Sequence, residues 1–265
     1  MGGEGLLRRG YDPVALASIV RPKVSEVING EEYRRYFRFR GGRWYGGIAT
    51  GDVIGCNLRC GFCWAWYFRD DYTRGELLSP KESWRRLYKI ASKRGYRLVR
   101  LSGGEPTLTR DHVLKVAELA RRAGMVFVLE TNGILIGNDR SYARDLAELG
   151  NVFVRVSFKG VTSQEFARLT GARPEFFELQ FQALRNLISE GMEPGEEVIA
   201  AAMISFSNDE DIARFVLRLT EIDERLARVD WEVIFMYPHV KEILRRSGLK
   251  PKRFVGPEKI PDEMV

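Results

Sequence analysis

Three cysteines lie close together in the sequence. Cys56, Cys60 and Cys63 have the spacing C-x3-C-x2-C, and they are the only cysteines among the 265 residues. Three thiolates on one tight loop can hold three irons of a cubane iron–sulfur cluster, and without a fourth cysteine the last iron is open. Zinc is the alternative, but a closed structural zinc site needs four protein ligands. The clustering excludes a disulfide framework and predicts a metal site.

A glycine-rich turn is the second candidate site. Gly103, Gly104 and Glu105, followed by Pro106, come at the end of a run that predicts a β-strand. Two adjacent glycines let a ligand approach the backbone closely. Glu105 adds a carboxylate that can accept hydrogen bonds from an ammonium group.

Two further polar segments end predicted strands. Thr131 and Asn132 end one strand, and Ser157 and Lys159 end the next. Because side chains alternate along a strand, residues 157 and 159 point to one side and Phe158 to the other. We therefore expect Ser157 and Lys159 to face the interior and Phe158 to pack under a helix. Lys159 can pair with a carboxylate, and its alternative is a solvated loop lysine.

These segments must be positioned by the elements around them. From Tyr45 onward, short β-rich runs alternate with longer helical patterns, which is typical of βα units and a parallel sheet. Capping residues mark helix starts at Ser79 and Ser207. The six predicted strands cover residues 47–54, 97–102, 125–131, 153–158, 197–205 and 231–237.

The number of units predicts the architecture. Six βα units are too few to close an eight-stranded barrel, so we expect an α/β fold, a partial (βα)6 barrel with helices outside. Active sites in such sheets lie beyond the carboxyl ends of the strands. We divide the chain into an N-terminal extension (1–45) with a helix around residues 13–28, a core (46–239), and a tail (240–265) that is irregular after Gly248.

The charge is unevenly distributed. The chain has a net charge of +6, and by residue count the extension carries +4, the core −1 and the tail +3. The basic ends are either solvated or docking sites for an acidic partner or RNA. Nucleic-acid binding is possible but not indicated, because the core has no basic excess.

Apolar runs in the sequence are short. The longest, residues 198–204, is far below the roughly 20 residues that a transmembrane helix needs, so we expect no membrane span. The first residues have neither a signal-peptide pattern nor a myristoylation site. We expect a cytoplasmic protein.

Together the cysteine loop, Phe62 before its last cysteine, and the Gly-Gly-Glu-Pro turn resemble the radical S-adenosylmethionine superfamily over about residues 46–239. The resemblance implies a [4Fe–4S] cluster on Cys56, Cys60 and Cys63 whose unique iron binds the amino and carboxylate groups of S-adenosylmethionine. The reduced cluster would cleave this cofactor to a 5′-deoxyadenosyl radical that abstracts hydrogen from a substrate. It also implies a low-potential electron donor such as ferredoxin or flavodoxin.

The pocket segments resemble those of pyruvate formate-lyase activating enzymes. That group has Asp-Thr-Asn-Gly and Asp-x-Lys where this chain has Glu130 and Ser157 in place of the aspartates. A serine hydroxyl can still form a hydrogen bond but supplies no charge, so a cation site built on that aspartate is in doubt. The resemblance implies that the cofactor-binding residues are Phe62, Gly103, Gly104, Glu105, Thr131, Asn132, Ser157, Lys159 and His239.

Aromatic and histidine side chains complete the candidate site. The run from Trp64 to Phe68 either packs over the cluster, where solvent exclusion shifts its potential, or forms a stacking platform for adenine or substrate. We expect Phe62 to contact adenine. We expect His239, after the sixth strand, in the pocket, although a structural or exposed position is equally open, and His112 on the surface.

The absence of further cysteines limits the reaction class. Auxiliary clusters and additional catalytic cysteines cannot be built from this sequence. Hydrogen abstraction by a single-cluster enzyme remains, acting on a small metabolite or lipid, on a protein glycine as in glycyl radical activation, or on RNA or another polymer. A non-catalytic iron–sulfur protein is the alternative from a different functional class.

Overall fold

Short runs rich in aliphatic residues form the strands. The computed structural model describes residues 10–256 of the chain. The strands in this range are β1 (Ser25–Ile28), β2 (Glu31–Gly42), β3 (Ile48–Val53), β4 (Glu76–Leu78), β5 (Leu98–Gly103), β6 (Val126–Thr131), β7 (Val152–Phe158), β8 (Val198–Met203), β9 (Asp230–Glu232), β10 (Ile234–Phe235) and β11 (Phe254–Val255).

Several helices begin at a residue whose side chain caps the first turn. Ser79 and Glu82 form the predicted capping box, whereas the helix expected to start at Ser207 is capped one residue later by Asn208. The helices are α1 (Pro13–Val24), α2 (Trp66–Arg69), α3 (Pro80–Arg94), α4 (Arg110–Arg122), α5 (Ile134–Asn138), α6 (Arg140–Glu148), α7 (Ser163–Thr170), α8 (Glu178–Ser189), α9 (Asp209–Thr220) and α10 (Pro238–Ser247).

The main sheet has a parallel half and an antiparallel half. Strands β3, β5, β6, β7, β8 and β9 pair in this order, all parallel, and correspond to the six predicted strands. On the other side of β3 lies β2, which pairs antiparallel with β3, β1 and β4. Within residues 10–256 the order runs from β1 to β9 without closing into a ring. The expected α/β fold with an open barrel is confirmed.

The two faces of the parallel strands differ in chemistry. On β7, Val154, Val156 and Phe158 are buried on the face that the helices cover. Phe158 packs against Phe177 and Phe181 of the α8 side at ring-centroid distances of 5.8 and 4.8 Å. The opposite face carries polar residues on β3, β5, β6, β7 and β9, and lines a cavity at the carboxyl ends of the strands.

The N-terminal region differs from its prediction. Helix α1 ends at Val24, and residues 25–28, expected to be helical, form strand β1. Asn29 and Gly30 have φ of 51° and 79°, which is the conformation of a tight hairpin turn, so the chain reverses into β2. The division at residue 46 stays a prediction, although β2 belongs to the core sheet and residues 1–9 lie outside the described range.

The C-terminal region is more ordered than predicted. Residues 240–247 belong to α10, and the expectation of irregular structure after Gly248 is wrong for β11, which pairs parallel with β10. Lys252 also donates its backbone N–H to the Ser205 carbonyl oxygen at 2.6 Å. Residues 257–265 of the predicted tail lie outside the described residues.

His112 is buried, and its predicted surface position is wrong. The Tyr36 hydroxyl lies 2.8 Å from Nε2, and the Glu32 carbonyl oxygen lies 2.9 Å from Nδ1. Burial lowers the pKa of His112 to about 3, so the ring is neutral at physiological pH. His112 therefore joins α4 to β2 and has a structural role.

Candidate functional site

The three cysteines lie on the loop between β3 and α2. Cys60 is buried and Cys56 and Cys63 are partly buried. All three line one cavity of about 1020 Å³ at the carboxyl ends of the parallel strands, as predicted from the topology. The Leu58 N–H lies 3.3 Å from the Cys56 sulfur and stabilises its thiolate form.

The glycine turn is joined to the cysteine loop through the backbone. Gly104 donates its N–H to the Val53 carbonyl oxygen and Glu105 to the Gly55 carbonyl oxygen, both at 2.8 Å. A Cβ atom on Gly104 would stand 2.1 Å from that Gly55 oxygen, so the second glycine is required by this close approach. The two motifs therefore form one rigid unit.

The Glu105 carboxylate is buried and already carries four hydrogen bonds. Its oxygens accept hydrogen bonds from the backbone N–H and the hydroxyl of Thr107, from the hydroxyl of Thr131 and from the backbone N–H of Asn132, at 2.6–3.1 Å. These bonds tie the ends of β5 and β6 together. The predicted contact of Glu105 with an ammonium group stays a prediction, and Gly103 and Gly104 line the same part of the cavity.

Asn57 extends this connection to the cysteine loop. Its side-chain oxygen accepts a hydrogen bond from Asn132 Nδ2 at 2.7 Å. Asn57 is fully buried, and its Nδ2 has no hydrogen-bond partner among residues 10–256. Sequence reasoning missed this residue, although its position directly after Cys56 could have indicated it.

Ser157 and Lys159 face the cavity while Phe158 packs under the helices, as predicted. Ser157 donates its hydroxyl to Glu232 Oε1 at 2.6 Å, and Lys159 contacts both the Ser157 hydroxyl and Glu232 Oε2, the latter at 3.5 Å. Glu232, on β9, thus places a carboxylate next to the serine. The sequence did not indicate this residue because it comes from a distant strand. Binding of S-adenosylmethionine by Ser157 and Lys159 stays a prediction.

Two partly buried ion pairs continue the polar face. Arg100 pairs with Glu130 and Arg155 pairs with Glu232, at 2.7 and 2.6 Å. Despite the opposing effect of burial, these arginines, Lys159 and nearby hydroxyl groups hold the pKa of Glu130 and of Glu232 at about 2. Both carboxylates are therefore ionised at neutral pH.

The thiol environment fits an anionic metal cluster. Burial raises the pKa of the Cys56 and Cys60 thiols to about 12, and the positive charges of Arg69 and Lys159 act in the opposite direction. Arg69 is buried, and its Nη1 has no hydrogen-bond partner in the described part of the chain. Cationic groups facing three thiols are the surroundings that a cluster held by thiolates needs.

Among residues 10–256, no three cysteine, histidine, aspartate or glutamate side chains converge on one metal position.

Comparison with known families agrees with this geometry. The sequence matches the Radical SAM superfamily over residues 53–219, which includes the cysteine loop, the glycine turn and strands β5 to β8. The chain belongs to the radical SAM superfamily. Members of this superfamily use a [4Fe–4S] cluster and S-adenosylmethionine.

The curated relatives are longer proteins. An Fe-coproporphyrin III synthase of Methanosarcina barkeri is 37% identical over 142 residues, which are 53% of this chain and 33% of that protein. A "Probable GTP 3',8-cyclase" of Sulfurisphaera tokodaii is 29% identical over 169 residues, 64% of this chain and 51% of that protein. The chain thus spans between a third and about half of the length of these radical SAM relatives.

Solved structures show more distant similarity. QueE from Escherichia coli has 14% sequence identity and a TM-score of 0.47, covering 82% of this chain and 91% of that one. An archaeal TYW1 has 15% identity and a TM-score of 0.43, covering 75% of this chain and 69% of that one.

The aromatic residues divide between the core and the cavity of this radical SAM chain. Phe68 is fully buried, whereas Phe62, Trp64 and Tyr67 line the cavity. The run after Cys63 therefore contributes both to the packed core, through Phe68, and to the cavity wall, through Trp64 and Tyr67. The contact of Phe62 with adenine stays a prediction.

His239 also lines the cavity of the radical SAM domain. Its ring stacks on Tyr237 at 5.7 Å, and its Nε2 is buried without a hydrogen-bond partner among residues 10–256. Burial lowers the pKa of His239, and the positive charge of Arg38 adds to this effect. The structure places His239 at the cavity wall, and a role in cofactor binding stays a prediction.

One further expectation concerns membranes. No helix between residues 10 and 256 combines the length and the apolar character needed to cross a bilayer.

Proposed function

We propose that this chain is an enzyme that binds a [4Fe–4S] cluster through Cys56, Cys60 and Cys63, binds S-adenosylmethionine beside it, and abstracts hydrogen from a small-molecule substrate. The observation that carries the proposal is that the cysteine loop and the Gly103–Glu105 turn, joined through their backbones, open into one cavity of about 1020 Å³. When bound, the cluster and the cofactor supply a carbon radical capable of abstracting hydrogen.

The residues of the chain have distinct tasks in this proposal. The three thiolates hold the cluster, and Arg69 provides a buried positive charge next to them. Gly103 and Gly104 allow close approach of the methionyl part of the cofactor to the backbone. Lys159 offers its ammonium group to the carboxylate of S-adenosylmethionine, and contacts with Glu232 and Ser157 hold that ammonium group in place. Phe62, which lines the same cavity, would contact the adenine of the cofactor.

A small-molecule substrate is supported by the shape of the site and by its relatives. The cavity lies within the carboxyl ends of the strands, and the names of the two relatives refer to a coproporphyrin and to GTP, which are small molecules. A protein glycine, as in the activating enzymes, and RNA are the other substrate classes. Similarity to the activating enzymes is confined to the pocket segments. The proposal also includes a low-potential electron donor, such as ferredoxin or flavodoxin.

The direct test is turnover of the cofactor. Protein reconstituted with iron and sulfide under anaerobic conditions, then reduced with dithionite, is expected to convert S-adenosylmethionine to methionine and 5′-deoxyadenosine. Cys60→Ala should abolish this conversion, and the surface variant Arg122→Ala should retain it. If the reconstituted wild-type protein produced no 5′-deoxyadenosine, the alternative of a non-catalytic iron–sulfur protein would be preferred.

A further inference from the structure

Two arginines of β2 line the cavity beside the cysteine loop. The side chains of Arg38 and Arg40 are 43% and 28% exposed, whereas Asp52, which both contact, is completely buried. Both guanidinium groups lie near the ring of Trp64, at 5.9 and 6.0 Å from its centroid. Since Trp64 directly follows Cys63, the arginine pair is next to the metal-binding loop.

A β-bulge turns both arginines toward the cavity. The register of β2 against β3 shifts between Tyr36 and Arg38, which makes Phe37 an extra residue in the strand. Because of this insertion, Tyr36 and Phe39 stack on the helix side at 4.9 Å although they are three residues apart. Arg38 and Arg40 consequently share the opposite face, where the cavity lies.

The hydrogen bonds of the pair leave positive charge and donors unused. Asp52 Oδ2 accepts from Nε of Arg38 at 2.7 Å and from Nε of Arg40 at 2.9 Å, and Oδ1 accepts from Arg40 Nη2 at 3.2 Å. One carboxylate thus faces two guanidinium groups. Among residues 10–256, neither Nη atom of Arg38 nor Nη1 of Arg40 has a hydrogen-bond partner.

The three other cations in the part of the cavity wall that the structure describes are matched by three carboxylates. These pairs are Arg100 with Glu130, Arg155 with Asp230 and Glu232, and Lys159 with Glu232. In the described cavity wall, positive charge without an acidic partner of its own is therefore located at Arg38 and Arg40, which share the carboxylate of Asp52. If these arginines served only to neutralise Asp52, one guanidinium would be sufficient, and the second would add repulsion between like charges.

We propose that Arg38 and Arg40 bind an oxyanion of the substrate, a carboxylate or a phosphate group. The unused Nη donors form the planar, charge-assisted hydrogen bonds that such groups accept. Aromatic rings of the same cavity would cover the apolar part of the substrate, and they belong to Trp44, Trp64, Tyr67, Trp231, Phe235 and Tyr237. The inference rests on the proposed function, because it assigns the substrate of the same cavity.

The test is calorimetric titration of the cluster-reconstituted protein, saturated with S-adenosylmethionine, with three probes. Pyrophosphate represents the phosphate source, benzene-1,3,5-tricarboxylate represents the carboxylate source, and the uncharged trimethyl ester of the latter is the control. Arg38→Gln leaves Asp52 paired with Arg40, and Arg40→Gln leaves it paired with Arg38, so a variant that fails to fold is covered by the other. Arg86→Gln, on helix α3 and paired with exposed Glu76, is the matched control.

We expect at least one anion to bind more tightly than the ester, and each cavity variant to weaken that binding by about ten- to a hundredfold. Arg38→Lys should restore part of the loss, and Arg86→Gln should cause none. The preferred anion identifies the source of the oxyanion. The affinity for S-adenosylmethionine should be unchanged in all variants.

Three results would overturn the inference. These are no anion binding at about 1 mM, equal binding of the tricarboxylate and its ester, and variants that weaken cofactor binding but not anion binding. Formation of 5′-deoxyadenosine is measured separately, without substrate. If it persists while anion binding fails, the proposed function stands and only the oxyanion site is rejected.

Discussion

The two faces of strand β7 carry out different tasks with adjacent residues. Phe158 is enclosed by aromatic rings under the helices, whereas Ser157 and Lys159 form part of a charged network facing the cavity. Apolar burial on the helix face stabilises the fold. Holding ionised groups in fixed positions on the cavity face costs part of that stabilisation. Changes on the first face should therefore alter stability, and changes on the second should alter binding.

The largest expected effect is on the helix face. Phe158→Ala removes a ring that contacts Phe177, Phe181 and Phe215, and should lower the free energy of unfolding by about 3–5 kcal/mol. Ser157→Ala, one residue away, loses hydrogen bonding and should cost about 1 kcal/mol. Urea denaturation followed by circular dichroism measures both values. Equal losses would contradict the division between the faces.

His112, a buried polar residue on the helix side of the sheet, makes stability depend on pH. The folded pKa of His112, about 3, is below its ordinary value of 6.5, so the unfolded chain takes up a proton first as the pH falls. Stability is retained above pH 6.5 and declines below it, by about 2 kcal/mol between pH 6.5 and 5.

The variant His112→Gln isolates this contribution. It should reduce the difference in unfolding free energy between pH 7.5 and 5 relative to wild type, in urea titrations at the two pH values. An unchanged pH dependence would show that His112 is not the buried neutral group described here.

A smaller effect is expected on the cavity face. Lys159→Ala should weaken binding of S-adenosylmethionine by about tenfold, because a charge-assisted hydrogen bond to its carboxylate is lost. The iron content should not change, since no cluster ligand is touched. Equilibrium dialysis of the reconstituted protein measures the affinity, with the exposed Lys115→Ala as control. Wild-type affinity in Lys159→Ala would reject the predicted contact.

Local patterns predicted the parallel half of the molecule. The six strands are predictable because β-rich runs alternate with capped helices. The orientation of Ser157 and Lys159 toward the cavity follows from the alternation of side chains along a strand. The cysteine loop and glycine turn were recognisable from spacing within short segments. In each case the information lies within about ten residues of sequence.

The antiparallel half depends on contacts between distant residues. Strand β1 was mistaken for helix, although the Asn29–Gly30 dipeptide is a hairpin signal that could have identified it. His112 was assigned to the surface, although its spacing to Val116 and Ala120 places it on the buried stripe of α4.

Other residues of the site could not have been found from local sequence. Glu232 and the Arg38–Arg40 pair reach the cavity only because β9 forms one edge of the parallel strands and the bulged β2 flanks the other. No sequence pattern reports which carboxylate meets Ser157 or which arginines meet Asp52. Such assignments require the pairing of strands that are far apart in the chain.

The most direct test of the central claim is the electron paramagnetic resonance spectrum of the reduced, reconstituted protein with and without S-adenosylmethionine. The account predicts about four irons per chain, a signal that requires Cys56, Cys60 and Cys63, and a clear change of that signal when the cofactor is added. A spectrum unchanged by S-adenosylmethionine, or about one zinc per chain in place of iron, would contradict it.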